Sequence, residues 1–198
     1  MKELESIKKY VSKYISLTED EEKYFLSVLT VKKIRKKQNV VQPDFTCKCR
    51  NYIVKGAMRA YYLDDNSQEH TITLAIDDWW ISDFNSYIYQ QPATLFVEAL
   101  EDTIVIQIEY TNEQLLLEKV PKFERFFRII TQYGFAFLQR RLLSSISKSA
   151  EERYETILVE YPLIAQRVPQ FALASYLGMS TEYLSKLRNN KVSLKKLK

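Results

Sequence analysis

Glycine, histidine and cysteine are all scarce in this 198-residue sequence, and each scarcity removes a class of chemistry. With three glycines, the chain cannot build the glycine-rich loops that cradle phosphates. His70 is the single histidine, which excludes a metal centre made of several imidazoles, and no Ser or Cys nucleophile can be matched with an orienting partner. Cys47 and Cys49 stand one residue apart, too close for the usual structural disulfide or for a four-ligand zinc site, and read as reduced thiols in a surface loop. No metal, cofactor or enzymatic activity is therefore expected. Basic residues are missing from one whole stretch: between Ala60 and Glu118 there is no Lys or Arg against 12 acidic residues, so a phosphate ligand is not expected there. No apolar run approaches the ~18 residues of a membrane span, and the charged opening Met1 to Tyr10 lacks a signal-peptide core. A cytoplasmic protein without a membrane partner is the expectation.

What is present points to a folded chain with a basic end. A hydrophobic fraction of 46% supplies enough apolar surface for a core, which argues against global disorder. The net charge of +4 is unevenly spread: residues 139–198 hold 11 Lys/Arg against 5 Asp/Glu (+6), leaving 18 against 20 (−2) before them. Leu4, Ile7, Val11, Tyr14 and Ile15 have helical spacing, and Thr18 followed by Glu21 is a capping box that opens a second helix. From residue 31 to 109 the rhythm changes to short β-type runs, Val31 to Arg35, Tyr52 to Leu63, Thr71 to Ile76, Ala93 to Leu100 and Thr103 to Ile108. Polar turns separate them, as in an antiparallel roll of six to eight strands, and Gly56 marks a hairpin turn or bulge inside the longest run.

Pro121 opens the longest helical stretch, whose apolar residues from Phe123 to Ile146 exceed one stripe. One face can cover the roll and the other a second subunit, and Gly134 in its middle suggests a close helix approach. Ser149 and Glu152 form another capping box, and that helix ends before Pro162. The segment Val168 to Arg188 then reads as a helix-turn-helix. Leu173, Leu177, Met179, Leu184 and Leu187 form the inner faces of two crossing helices, with Ala174 small at their contact. Gly178 sits where positive φ is wanted, Pro169 suits the first turn of the leading helix, and Ser180 suits the N-cap of the second. The outer residues Lys186, Arg188, Lys191, Lys195, Lys196 and Lys198 follow Glu182 with no further acid, a distribution suited to phosphate neutralisation.

Taken with Tyr52-Ile53-Val54-Lys55-Gly56-Ala57-Met58-Arg59, Glu98-Ala99-Leu100-Glu101-Asp102 and Ser149-Ala150-Glu151-Glu152-Arg153-Tyr154, this organisation resembles the CRP/FNR family of bacterial regulators over nearly the whole chain. The resemblance implies an α+β fold: an N-terminal double-stranded β-helix (jelly roll) with flanking helices, a long dimerisation helix and a C-terminal winged helix-turn-helix. The implied division is 1–120 for a cyclic-nucleotide-binding-like sensor roll, 121–147 for the dimerisation helix and 148–198 for the DNA-binding unit. It implies a homodimer that reads a palindromic operator in double-stranded DNA, contacts RNA polymerase and answers to a small-molecule effector of unknown identity. The DNA-binding residues it implies are Ser180, Thr181, Glu182, Ser185, Lys186, Arg188 and Lys191. Ser180 would lie near a phosphate, while Glu182 could accept from a cytosine amino group and Lys186 donate to guanine.

This sequence departs from the family in its sensor. Where cyclic-nucleotide-binding members carry a Gly-Glu pair and an Arg, it has Trp80-Ile81-Ser82-Asp83 and Pro92-Ala93-Thr94, so cyclic AMP is disfavoured. The two cysteines cannot supply the four ligands of the iron–sulfur members. Trp79, Trp80, Asp83 and Thr94 are the candidate lining of a pocket for an apolar or aromatic ligand. The ten residues after Arg188 are too few for a two-stranded wing but enough to prolong the recognition helix. Two other readings are an interaction protein that has lost DNA binding and, with its histidine shortage against it, a cupin-like enzyme.

Overall fold

The structure, a computed structural model, describes residues 2–196, with side chains for residues 2–190. Two short helices, α1 (Lys2–Val11) and α2 (Glu19–Ser27), lead into eight strands among the described residues. These are β1 (Leu29–Ile34), β2 (Asn39–Val41), β3 (Cys49–Lys55), β4 (Ala57–Leu63), β5 (Glu69–Ile76), β6 (Trp80–Ile81), β7 (Phe96–Ala99) and β8 (Thr103–Glu109), with α3 (Phe84–Tyr89) inserted before β7. The rest is helical: α4 (Tyr110–Lys119), α5 (Lys122–Ser147), α6 (Ala150–Glu160), α7 (Pro162–Arg167), α8 (Gln170–Leu177) and α9 (Thr181–Lys196). None of the described helices is long and apolar enough to cross a membrane.

The strands form two four-stranded antiparallel sheets, ordered β1-β8-β3-β6 and β2-β7-β4-β5, which face each other as the expected double-stranded β-helix. Strand alternation sorts the side chains into three layers. Ile53, Met58, Ala60, Ala75, Val97 and Val105 point between the sheets. Their sequence neighbours Tyr52, Ile106 and Ile108 point outward, under α1, α2 and α5, against Ile7, Phe25, Phe123 and Phe126. On the far side Ala57, Leu74, Ile76 and Leu100 share a core with Tyr154, Ile157, Ile164 and Leu173 of the C-terminal helices. The roll is thus a middle layer with helices on both faces. A buried bidentate ion pair fastens α4 to it: Arg50 Nε and Nη2 donate to the Glu113 carboxylate at 2.8 Å each, with the guanidinium over the Phe127 ring at 4.8 Å.

Both capping boxes are present, Thr18 with Glu21 and Ser149 with Glu152, each with side chain to backbone bonds in both directions. Gly56 does not turn a hairpin. β3 and β4 lie in different sheets, and Gly56, at φ 130°, carries the chain across the edge between them. A Cβ there would come within 2.3 Å of Thr103 Oγ1, so both backbone angle and space demand glycine. Gly134 has no neighbour within 4 Å of where a Cβ would be, so no close approach within the chain explains it. The helices α3, α4 and α7 and the short strands β2 and β6 are additions to the sequence-based expectation.

Candidate nucleic-acid interface

The helix-turn-helix forms as its sequence dictates. α8 stops at Gly178, whose φ of 66° allows the N–H groups of Gly178 and Met179 to reach back to the carbonyls of Ser175 and Ala174 at 3.1 Å. Ser180 Oγ then accepts the Tyr183 N–H at 3.1 Å and starts α9. Ala172, Leu173, Ala174, Leu177 and Leu184 close the core between the two helices. Arg153 staples the turn from beneath: its Nε and Nη2 donate to the Leu177 carbonyl at 3.0 and 2.8 Å, a cation at a helix C-terminus.

This packing leaves one row of α9 turned to solvent. Thr181, Glu182 and Lys186 are exposed and Ser185 is half-buried. A hydrogen bond from its own backbone N–H and another from the Ser180 hydroxyl hold the Glu182 carboxyl below the usual carboxylate range, so it is ionised at neutral pH and able to accept a hydrogen bond. Arg188 does not join the row. Its Nη2 donates to the Ala165 carbonyl at 2.9 Å and its Nε to the Tyr154 hydroxyl at 3.4 Å, which turns the guanidinium into its own helical unit. The side chain of Lys191, and those of Lys195, Lys196 and Lys198, lie outside the described residues. The helix itself runs through Lys196, as the length of the C-terminal segment suggested.

The C-terminal helices are fastened to the roll at the edge strand β5. Ser175 Oγ accepts the Thr71 N–H and donates to the Glu69 carbonyl, both at 2.8 Å. Arg141 of α5 donates from Nη2 to the carbonyls of Thr71 (3.0 Å) and Tyr176 (3.3 Å). Arg167 bridges to Asp77 at 3.0 and 3.2 Å and to Glu101 at 2.5 Å. Arg59, 2% exposed between Glu69 and Glu98, places its guanidinium 4.9 Å from the Phe171 ring of α8. The pairings that join the roll to the helices span 66 to 112 residues of sequence, so no local signal announces them.

The four residues expected to line a sensor pocket have other tasks. Trp79 meets Phe137 and Tyr161 edge-on at ring distances of 5.5 and 5.8 Å, pinning the roll to α5 and the C-terminal helices. Trp80 turns the opposite way, into the aromatic layer of Tyr52, Phe126 and Phe127. Thr94 is exposed. Asp83, 1% exposed, caps α3 by accepting the Ser86 N–H at 3.0 Å, and its second oxygen accepts the N–H groups of Thr94 and Leu95 at 2.9 and 3.0 Å. Successive residues of an extended chain point to opposite faces, which is why adjacent tryptophans cannot line one wall.

No family model matches the chain, and no curated protein matches it in sequence. Solved structures do match. FixK2 from Bradyrhizobium japonicum is 18% identical, with a TM-score of 0.73, over 84% of this chain and 86% of that one. A CooA mutant from Carboxydothermus hydrogenoformans is also 18% identical, with a TM-score of 0.67, over 86% and 79%. A protein from Eubacterium rectale described as a crp/fnr-family transcriptional regulator is 17% identical, with a TM-score of 0.68, over 89% and 85%. At such identities the likeness establishes a common fold.

Proposed function

We propose, from the CRP/FNR fold that this chain carries, that it is a DNA-binding transcription regulator acting as a homodimer. The observation behind this reading is the row Thr181, Glu182 and Lys186, presented to solvent by a helix whose start is set by the Gly178 turn and the Ser180 cap. A helix of this kind fits the major groove of B-DNA with its N-terminal residues toward base edges. Glu182 accepts from a cytosine amino group, Lys186 donates to guanine, and Ser180 lies by a phosphate. Ser185 flanks the reading row, the C-terminal lysines contribute to phosphate neutralisation, and Arg188 acts as an internal brace.

The reading divides the chain into a roll at 1–120, a dimerising helix at 121–147 and a DNA-binding unit at 148–198. Support for the dimer comes from α5, where Phe135 (69% exposed), Leu142 (61%) and Ile146 (76%) face solvent together with Leu138. Such an apolar row on a lone helix face is what a symmetric partner copy covers. The protein acts in the cytoplasm on promoter DNA, with RNA polymerase as the downstream partner and no chemical step of its own. Cyclic AMP is not its effector, because Asp83 already occupies the N–H groups at the turn into β7.

Selection of bound genomic fragments with purified protein tests this reading. Enrichment of a palindromic motif, with affinity falling steeply as salt rises, is the expected result. Retention of all fragments alike, or of none at low salt, overturns it.

A further inference from the structure

A cavity of about 560 Å³ lies where the roll, α5 and the C-terminal helices meet. This is within the size range of small-molecule sites. Its walls come from all three parts: Thr71 of β5, Phe137 and Arg141 of α5, Thr156 of α6, and Tyr176 and Leu177 of α8. Cations outnumber anions in the lining. Arg140, Arg141, Lys148 and Arg153 face Glu160 as the single carboxylate among the lining residues. Arg153 is spent on the carbonyls of Leu177 and Lys148. Arg141 is spent only in part: its Nη2 donates to the carbonyls of Thr71 and Tyr176 and its guanidinium stacks 4.4 Å from the Tyr176 ring, while its Nε has no hydrogen-bond partner. The guanidinium thus keeps donor capacity that no protein group takes up. Arg140 and Lys148 stand exposed at the rim, Lys148 Nζ donating to Thr156 Oγ1 at 2.9 Å, while Ser144 adds a hydroxyl.

The cavity is compatible with the dimer. Phe137, Arg141 and Ser144 lie on a row of α5 roughly 130° around the helix from Leu138, Leu142 and Ile146, with Lys148 just past the helix end, so a partner on the apolar row leaves the cavity open.

We propose that this cavity binds a small organic anion, a carboxylate or a phosphate monoester carrying an apolar or aromatic body. The anion pairs with Arg141, with Lys148 and Arg140 closing over it, and the body rests on Phe137, Tyr176 and Leu177. An occupant touching roll, long helix and helix-turn-helix at once ties them together and raises the melting temperature. This site is separate from the row on α9, so its occupancy can be measured without DNA.

Calorimetry on the full chain with phenyl phosphate, benzoate and phenol tests the proposal. One anion per chain is expected to bind, the stronger of the two naming the head group, while phenol does not. Arg141→Gln should weaken binding about tenfold, the loss of one charge-assisted bond. Ser144→Trp should abolish binding by filling the cavity, and Lys148→Ala, at the exposed rim, should weaken it without changing the fold as seen by circular dichroism. The proposal is overturned if neither anion saturates below about 10 mM, if phenol binds as well as the anions, or if folded Ser144→Trp and Lys148→Ala both bind like the unaltered protein.

Discussion

Asp83 offers a sharp test of how the roll is built. Its buried carboxylate accepts three backbone N–H groups, those of Ser86, Thr94 and Leu95, and so acts as a built-in anion at the start of α3. Asp83→Ala strands three donors. Each donor left unpaired costs about 1 kcal/mol, the Ser86 bond being the helix N-cap itself, for a total of about 3 kcal/mol. For a chain of this size that is a fall in melting temperature of about 10 °C. The alanine also leaves a hole with the shape and polarity of a carboxylate. Formate should therefore rescue the variant: at ten times its dissociation constant it restores about 1.4 kcal/mol by mass action. Thermal melts in sodium formate and in sodium chloride of equal ionic strength separate rescue from a general salt effect. A loss below about 1 kcal/mol would refute the argument about stranded donors. Equal gains from formate in variant and unaltered protein would refute the anion-shaped site.

Three further outcomes are expected. Lys186→Ala, folded and dimeric, should lose about 1 to 3 kcal/mol on its selected operator and relax preference at one position of each half-site, as seen in gel shifts with base-substituted duplexes. Replacing Leu142 and Ile146 together by lysine should give a species of 23.5 kDa in light scattering, half the mass of the unaltered protein. Gly56→Ala should lower stability in urea by about 3 kcal/mol, from a strained backbone together with a Cβ forced onto Thr103.

Features whose causes are local were legible in the sequence. The two capping boxes, the helix break at Gly178 and the cap at Ser180 each depend on residues within four positions of one another, and all four occur where their patterns place them. The period-two runs likewise marked six of the eight described strands, the run from Tyr52 to Leu63 covering two of them. What escaped has non-local causes. β2 and β6, of three and two residues, are too short for alternation to register. Helix α4 carries Leu115, Leu116 and Leu117 in a row, and its buried Glu113 is explained only by Arg50, 63 residues earlier. Gly56 looked like a hairpin because a glycine before a change of direction reads the same whether the chain folds back or crosses to another sheet. Asp83 looked like a pocket residue because its three partners are backbone groups, which sequence does not display. The bond from Arg188 to the carbonyl of Ala165 is hidden for the same reason: its charge is visible in the sequence and the carbonyl is not.

The way α8 meets β5 has a consequence for anyone who would cut this protein in two. β5 ends its sheet, and around Thr71 its outward N–H and C=O groups are satisfied by Ser175 and Arg141 rather than by another strand. A fragment stopped at residue 148 would keep the roll but lose Ser175, together with Leu173 and Ile164 that cover Leu74 and Ile76. Its boundary would be a bare, partly apolar strand margin, a template on which a second fragment can add its own strand. The helix-turn-helix is therefore also the roll's protection against self-association, and a stand-alone roll would need a charge or a proline written into β5 to take its place.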